Sequence, residues 1–273
     1  MKRFRLGLRR ADAPFAPKFR GVGIPPSGHA DLSSFAGEIV DQNHVGHCTT
    51  AVAKAAVCSL RAAGVSMPEP SHVVAYQLAL RLDRAEDYPG VPTRNLPPLR
   101  DCGSTLATMV RVLERYGLAP KRGNVSVDGW ERTSDCGPAN ATDERSVNAA
   151  DAILASQKIV LGPYEIDYAS RERDVQLALD AGYACADGGW VDLDYMYRDP
   201  SSPPAGAPDI TDPDGGGHAQ MIIGYRTDHN GETIYLVQNS WGAFWGDGGR
   251  TWATRDYLMS RWNIYAIKAE LQA

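Results

Sequence analysis

The apolar residues change their spacing partway along the chain, and this change constrains the fold more than any other feature. Over residues 49–63 they recur at helical spacing, as in Ala55 and Leu60, whereas in the second half short apolar runs are separated by turn signals such as Asn230-Gly231. The first pattern predicts a buried helix and the second predicts antiparallel strands. Helices followed by strands indicate an α+β architecture with a mainly helical half and a mainly β half.

The helix ends are predicted from glycine and serine positions. Gly64, Gly117 and Gly182 stand where helices are expected to end, because glycine readily adopts the left-handed cap conformation, and Ser71 and Ser104 are expected to cap two helices at their starts. The predicted helices are 49–63, 71–82, one beginning near 104, and 172–181, and the predicted strands are 158–162, 183–190, 219–225, 233–238, 250–254 and 265–270.

The segment 120–150 is rich in Gly, Ser, Asn and Asp and is interpreted as a connection. It suggests a division into three units. These are an N-terminal arm over 1–33, a helical domain over 34–155 and a β domain over 156–273.

Composition and charge exclude several classes of protein. The chain has 273 residues, 43% of them hydrophobic, and a formal net charge of -5, so it can bury a sizeable core, and no nucleic-acid partner is expected. No apolar run is long enough for a membrane span, and the basic stretch 1–10 lacks the apolar run of a secretory signal. A cytoplasmic protein with no membrane partner and a solvated, partly disordered arm is therefore expected.

The five cysteines form no recognisable framework. Cys48, Cys58, Cys102, Cys136 and Cys185 are irregularly spaced and include no CxxC pair of the kind that binds zinc or cycles between thiol and disulfide. In a reducing compartment all five would be thiols, and whether the last four pair is left open. Cys48 differs from the others because it stands at the start of the first predicted helix.

Three widely separated residues form a candidate nucleophilic set. Cys48 supplies a thiol, His218 follows three glycines at the start of a predicted strand, and Asn239 ends the neighbouring strand. In cysteine-dependent acyl transfer a histidine takes the thiol proton and a third side chain orients the ring. A helix N-terminus and a nearby imidazolium both favour the thiolate, so a thiolate–imidazolium pair is expected.

Two further residues are assigned supporting roles. Gln42 precedes Cys48 by six residues and is expected to donate an amide N–H, together with the backbone N–H of Cys48, to the oxyanion that forms during the reaction. Trp241 follows Asn239 by two residues and is expected to shield the hydrogen bond between histidine and asparagine from water. The predicted catalytic residues are thus Cys48, His218, Asn239 and Gln42.

The motifs around these residues resemble those of the papain-like cysteine peptidases, the cathepsin superfamily. That family has its glutamine, cysteine, histidine and asparagine in the same chain order, and its Asn-Ser-Trp-Gly run is similar to residues 239–242, followed by a similar run at 245–249. The resemblance spans most of residues 40–260. It implies a papain-like two-domain α+β fold, with a helical left domain, a right domain that is an antiparallel β-sheet or barrel-like, and the active-site cleft between them.

The resemblance also implies where a peptide would bind. Residues 101–104 occupy the place of the family's substrate-binding segment, so the backbone of Gly103 and Ser104 is expected to pair with an extended peptide, and Gly217 and Trp241 are expected to contribute to the same site. The family commonly has a cysteine at the place of Val45, and the chain is more similar to its bacterial and intracellular branches than to lysosomal enzymes. Because only about forty residues precede Gln42, activation by removal of a long propeptide is not expected.

The expected activity is hydrolysis of a peptide or protein substrate through an acyl-enzyme, as an endopeptidase or an exopeptidase, with no cofactor. A zinc site at His44, His47 and Cys48 is a weaker interpretation, because the chain has no second ligand cluster. Two alternative functions stay open: a papain-fold binding or structural component of a larger assembly, and a cysteine-dependent acyl or amide transferase. Ordinary polar roles are expected for His29, His72 and His229.

Overall fold

The computed structural model describes residues 6–10, 16–21, 25–121 and 159–271. Its helices are α1 (Ala51–Ala62), α2 (His72–Asp87), α3 (Leu106–Tyr116), α4 (Arg171–Asp180), α5 (Leu193–Met196) and α6 (Arg255–Ser260). Its strands are β1 (Ala30–Asp31), β2 (Ile159–Glu165), β3 (Cys185–Val191), β4 (Gly216–Thr227), β5 (Thr233–Gln238), β6 (Arg250–Ala253) and β7 (Asn263–Leu271). Short 3-10 turns cover Cys48–Thr50, Thr93–Asn95 and Tyr168–Ser170.

The four predicted helices are confirmed as α1 to α4, with two differences at their ends. α2 continues to Asp87, beyond the predicted end at residue 82. The cap of α3 is Thr105, whose Oγ1 accepts the N–H of Thr108 at 2.9 Å, and not Ser104 as predicted. Ser104 is unsuited to this role because its hydroxyl donates to Asp83 at 2.8 Å. Within the described ranges, no helix has both the length and the apolar character needed to cross a bilayer.

The strands form one open antiparallel sheet in the order β2-β7-β3-β4-β5-β6, and β1 pairs with one end of β4. The predicted strands correspond to β2 to β7: β2, β4 and β7 are longer than predicted, β5 has the predicted bounds, and β3 and β6 are one residue shorter. The antiparallel sheet implied by the resemblance is confirmed. Over the described residues it is open and not closed into a barrel, because β2 and β6 lie at opposite edges and do not pair. α5, α6 and β1 were not predicted, since each is too short to show a periodic apolar pattern.

The helical half and the sheet share a core. Ten of the twelve residues of α1 are buried, and α1 packs against α3 and across β3, β4 and β7. One apolar cluster contains Val52 of α1, Met109 of α3 and Tyr265 of β7. The predicted domain limits stay predictions, and the connection expected over 120–150 lies, from residue 122 onward, outside the described residues, as does Cys136.

A buried ion pair holds the strand that carries His218. The side chains of Arg261 and Asp187 are both fully buried, with Nε and Oδ1 3.1 Å apart. The same guanidinium donates to the carbonyl of Trp190 at 2.7 Å and to the carbonyl of His218 at 3.1 Å. A buried guanidinium needs this full set of partners to offset its lost hydration. Arg261 therefore joins β3 to the start of β4.

We expect Arg261→Met to lower the free energy of unfolding by about 3–5 kcal/mol, because it leaves the Asp187 carboxylate buried without its counter-charge. Urea denaturation followed by circular dichroism measures the change. Arg255→Met is the matched control, because Arg255 pairs with Glu172 at an exposed site and its loss should cost under about 1 kcal/mol. Equal effects of the two substitutions would contradict a structural role for the buried pair.

Candidate active site

Cys48 lies where the helical half meets the sheet. It begins the 3-10 turn that leads into α1 and is 1% exposed. Its sulfur accepts hydrogen bonds from the backbone N–H groups of Ala219 and Gly7. Ala219 directly follows His218, and Cys48, Ala219 and Asn239 line one small cavity. The structure thus brings together the predicted nucleophile and the strands that carry the predicted base and orienting residue.

His218 lies in β4 and Asn239 directly follows β5, and the two side chains form the predicted pair. Nε2 of the ring lies 2.7 Å from Oδ1 of Asn239, and both residues are buried. Since an amide oxygen only accepts, Nε2 carries the proton and Nδ1 carries the lone pair. Nδ1 is buried without a hydrogen-bond partner among the described residues. The ring therefore has its acceptor nitrogen open.

Trp241 supports this pair from behind. Its ring stacks on His218, with centroids 4.2 Å apart and an interplanar angle of 24°. It is 2% exposed, so it covers the histidine as predicted but does not form part of an open binding surface. Trp241 is predicted to contribute to peptide binding, but in this structure it contacts the site only by supporting the His218 ring.

Residues 6–10, here called the cleft segment, lie over Cys48 between the two halves. The N–H of Leu8 donates to the carbonyl of Gly217 at 3.1 Å, the N–H of Ser104 donates to the carbonyl of Gly7 at 2.8 Å, and the N–H of Arg9 donates to the carbonyl of Ser104 at 2.7 Å. The expectation of a solvated arm is wrong for these residues. Composition alone does not reveal that an extended basic chain can pair with backbone groups far along the sequence.

The cleft segment occupies two of the predicted substrate-binding residues, Ser104 and Gly217. Gly103 behaves differently, because its N–H donates to the Tyr76 hydroxyl at 3.0 Å instead of to a peptide. Glycine is nevertheless required there: a Cβ on Gly103 would lie 1.9 Å from the carbonyl oxygen of Gly7, and a Cβ on Gly7 would lie 2.1 Å from the carbonyl oxygen of Gly46. The cleft segment fits only because these positions lack side chains.

The cleft segment does not present a reactive carbonyl group from Gly7 to the sulfur. Leu8 forms a parallel bridge with Ser104, the N–H of Gly7 points to the sulfur of Cys48, and the carbonyl of Gly7 is bound by Ser104. A nucleophile needs a carbonyl carbon in that place. The contact is therefore non-productive.

Burial controls the ionisation of the two central groups. It raises the pKa of Cys48 to about 11, against the opposing effect of the backbone N–H donors, and lowers the pKa of His218 to about 3, against the opposing effect of the hydrogen bond to Asn239. In this covered form the pair is a neutral thiol and a neutral imidazole at pH 7. The thiolate–imidazolium pair expected from the sequence is not favoured here, because desolvation penalises both charges.

Gln42 is fully buried and connects the loop before Cys48 to the segment after Asn239. Its side-chain nitrogen donates to the carbonyl of Val45 at 2.9 Å, and its side-chain oxygen accepts from Ser240 Oγ at 2.5 Å. Its backbone N–H donates to the carbonyl of Ser240 at 2.8 Å. These bonds position the loop, and the role of Gln42 as an oxyanion donor stays a prediction.

Sequence reasoning missed Asp101 and Tyr76, which join α2 to the loop before Cys48 within the helical half of the site. Asp101 Oδ1 accepts from the Tyr76 hydroxyl at 2.6 Å and from the N–H of Gly46 at 3.0 Å. Tyr76 in turn accepts from Gly103. The papain-like family commonly has a cysteine at the position of Val45, next to Gly46. In this chain, hydrogen bonds through Asp101 hold the loop at Gly46 against α2 instead. No local signal in α2 distinguishes Tyr76 from any other core residue.

The histidines near Cys48 show no arrangement that suggests a metal site. His44 is exposed, whereas His47 is buried and stacks on His72 with centroids 5.8 Å apart. His72 Nδ1 lies 2.8 Å from Thr50 Oγ1, so the expectation that His72 is an ordinary polar residue is wrong: it is a buried part of the nucleophile's support. In the ranges that the structure describes, no three His, Cys, Asp or Glu side chains converge to hold a metal ion.

We expect stability to fall as the pH is lowered from 6.5 towards 4, because three histidines are buried in the neutral form. Burial lowers the pKa of His47 to about 4, that of His218 to about 3 and that of His72 well below its usual value. Below pH 6.5 the unfolded chain binds protons that the folded chain does not, and each such histidine contributes a slope of up to about 1.4 kcal/mol per pH unit.

Urea midpoints measured between pH 7 and 4 test this expectation. His72→Gln should reduce the slope by about one proton, whereas His229→Gln, at an exposed position, should leave it unchanged. Identical slopes for the two variants and the unmodified chain would contradict the prediction.

We expect Gly7→Ala to make Cys48 more accessible, because the added methyl group collides with the backbone of Gly46 and displaces the cleft segment. If the collision costs about 1.4 kcal/mol, alkylation of Cys48 by iodoacetamide becomes about tenfold faster. Mass spectrometry of the labelled peptide measures the rate. Gly206→Ala is the control, since a Cβ there meets nothing within 4 Å, and equal rates in the two variants would show that the cleft segment does not cover the thiol.

Known proteins resemble this chain in one segment of its sequence and in its fold. The model of the papain family cysteine proteases matches residues 207–268. The chain is 49% identical to ananain of Ananas comosus over 43 residues, which cover 16% of this chain and only 12% of ananain. The matched part is thus a small share of the curated relative.

Solved structures are similar over almost the whole length. Xylellain, a cysteine protease from Xylella fastidiosa, has a TM-score of 0.70 at 18% identity, with coverage of 100% of this chain and 97% of xylellain. Procathepsin B S9 from Trypanosoma congolense has a TM-score of 0.64 at 17% identity, with coverage of 98% and 87%. At such identities the likeness shows the fold. The chain therefore has the fold of the papain-like cysteine proteases, and its residues 207–268, which contain His218 and Asn239, match the sequence model of that family.

Proposed function

We propose that this protein hydrolyses peptide bonds as a cysteine peptidase, with Cys48 as the nucleophile and His218 as the base. One observation carries the proposal. Asn239 holds Nε2 of the His218 ring at 2.7 Å, which leaves the Nδ1 acceptor open, and the sulfur of Cys48 accepts a hydrogen bond from the backbone N–H of Ala219, the residue after His218. A nucleophile, a base and an orienting residue in contact are the requirement for acyl transfer.

The reaction follows from these groups. His218 Nδ1 takes the proton of the Cys48 thiol as the sulfur attacks the carbonyl carbon of the substrate. The resulting oxyanion collapses, the C–N bond breaks, and the leaving amine takes the proton from His218. Water then attacks the thioester, with His218 accepting a proton from the water and returning it to the sulfur.

The neutral state of the covered site has a role in this scheme. When a substrate replaces the cleft segment, water enters and the desolvation penalty on the sulfur and the ring decreases. Proton transfer from Cys48 to His218 then becomes easier. The site is therefore protected from alkylation and oxidation while it is covered, since the thiolate and not the thiol is the reactive form.

The proposed substrate is an extended peptide or protein segment. Backbone groups of Ser104 and Gly217 already bind an extended chain in this structure. Because such hydrogen bonds involve only the main chain, peptides of many sequences can form them. A cytoplasmic location is proposed as well. The described cysteines, Cys48, Cys58, Cys102 and Cys185, are free thiols, as a reducing compartment allows.

We expect Cys48→Ala to abolish hydrolysis of fluorogenic peptides, with a loss of at least about 1000-fold, because no other group can form the acyl-enzyme. Cys102→Ser is the matched control: Cys102 is an exposed free cysteine, and its replacement should leave the rate unchanged. Circular dichroism checks that both variants are folded.

The same assay separates the alternatives. Retained hydrolysis in the Cys48→Ala variant would overturn the assignment. Transfer of the acyl group to an added amine in preference to water would indicate a transferase. If neither the folded full chain nor the Gly7→Ala variant hydrolyses any peptide, the protein is a binding component and not a peptidase.

A further inference from the structure

We infer that Asp83 forms a subsite for an arginine side chain of the substrate, next to the pocket that receives an apolar side chain. The inference rests on the proposed peptidase function and deepens it, because it names a residue class that the cleft selects. It is drawn from the side chains of the cleft segment, which show what the cleft accommodates.

The guanidinium of Arg9 binds Asp83 directly. Arg9 Nη2 lies 2.6 Å from Asp83 Oδ2, and the Asp83 side chain is only 6% exposed. The neighbouring carboxylate of Asp87 adds to the attraction that raises the pKa of Arg9. The contact therefore joins a guanidinium to a carboxylate that is almost removed from water.

Asp83 is held in position before any cation arrives. Oδ2 accepts the hydroxyl of Ser104 at 2.8 Å, and Oδ1 accepts the hydroxyl of Thr108 at 2.7 Å. Two neutral hydroxyl groups satisfy hydrogen bonds but do not balance the charge of a buried carboxylate. When the cleft segment leaves, Asp83 keeps its two hydroxyl donors and loses the guanidinium of Arg9, so another cationic side chain is favoured at this place.

Leu8, the residue before Arg9, fills an apolar pocket, here called the leucine pocket and formed by Leu106 and Gly188. A Cβ on Gly188 would lie 2.7 Å from Leu8 Cδ2 and 3.1 Å from Leu106 Cδ1. A Cβ on Gly217 would lie 2.3 Å from the carbonyl oxygen of Leu8. An extended chain in this cleft thus places one side chain in the leucine pocket and its neighbour at Asp83.

The direction of a productive substrate follows from the contact at the sulfur. The cleft segment approaches Cys48 from Arg9 through Leu8 to Gly7, and the group that it directs at the sulfur is the N–H of Gly7. A substrate must instead reach the sulfur with a carbonyl carbon, so it runs in the opposite direction. With the same side chains in the same places, it reads Arg-Leu-Gly towards the bond that is cut.

Three fluorogenic peptides test the inference with the full chain: acetyl-Arg-Leu-Gly, acetyl-citrulline-Leu-Gly and acetyl-Glu-Leu-Gly, each with a C-terminal fluorophore. Citrulline matches the shape of arginine without its charge. We expect kcat/KM for the arginine peptide to exceed that for the citrulline peptide by about tenfold, and the glutamate peptide to be the poorest.

Asp83→Asn should reduce the ratio of arginine to citrulline to about one, because the amide keeps an acceptor oxygen but removes the charge. Asp87→Asn is the matched control, since Asp87 is exposed on the same helix, and it should keep most of the preference. A purely structural role of Asp83 would lower all three rates together and leave the ratio unchanged.

A second measurement avoids turnover and avoids any disturbance of Asp83. Arg9→Gln in the full chain weakens the hold of the cleft segment and should accelerate iodoacetamide labelling of Cys48 several-fold. Arg10→Gln, at the exposed neighbouring residue, should not. Equal labelling in the two variants would overturn the pairing of Arg9 with Asp83.

The remaining outcomes are also decisive. A citrulline peptide cleaved as fast as the arginine peptide, or a preference that survives in a folded Asp83→Asn variant, would overturn the inference and leave the peptidase function intact. If no peptide is cleaved by the full chain or by the Gly7→Ala variant, the proposed function fails and the substrate subsite fails with it. A labelling difference between Arg9→Gln and Arg10→Gln would then establish the ion pair alone.

Discussion

The packing of α1 across the sheet is the interaction on which the rest of this structure depends. α1 is buried along most of its length and contacts β3, β4 and β7, so the turn at its start lies against the beginning of β4. Cys48 occupies that turn and His218 occupies that strand. Apolar burial, which is non-directional, brings these elements together, and the hydrogen bond from His218 to Asn239 then selects one orientation of the ring. The chemistry of the site is a consequence of a shared core.

The same burial has a cost that the cleft segment increases. A thiol and an imidazole removed from water both prefer the neutral state, and the shifts at Cys48 and His218 have this cause. The protein holds the two groups in place with contacts that do not require either of them to be charged. These are the stacking of Trp241 on His218, the hydrogen bond from Arg261 to the carbonyl of His218, and the hydrogen bonds of Gln42 and Asp101 in the loop before Cys48. Geometry is thus maintained while reactivity depends on what covers the cleft.

Backbone hydrogen bonds and side-chain contacts have separate roles in the cleft. Ser104 and Gly217 bind an extended chain whatever its sequence, whereas the leucine pocket and Asp83 distinguish one side chain from another. Asp83 also supports Ser104 through a hydroxyl bond, so the residue that would select a cation contributes as well to the backbone site beside it. Affinity and selectivity therefore have neighbouring physical origins.

The elements that could be predicted share one property, which is a local signal. The helix at 51–62, the hairpin around Gly231 and the identity of Cys48, His218 and Asn239 are recognisable because periodicity, turn chemistry and motif order are written in neighbouring residues. Sequence reasoning places the cap of α3 at Ser104, because the hydroxyl groups of Ser104 and Thr105 can both accept a backbone N–H of the first turn. The structure selects Thr105, since Ser104 is bound to Asp83, which lies on another helix. His72 was misread for the same kind of reason, since its partner Thr50 lies on a different element.

The amino-acid sequence by itself determined the order of helices and strands, the residue types available for acyl transfer, and their resemblance to one family of peptidases. Only the tertiary structure decided that residues 6–10 return to cover Cys48, that Arg9 meets Asp83, and that Asp101 and Tyr76 join α2 to the loop before Cys48. The physical reason is that these contacts link segments far apart in the chain, where backbone pairing and charge burial depend on the packed surroundings and leave no periodic trace in the residues themselves.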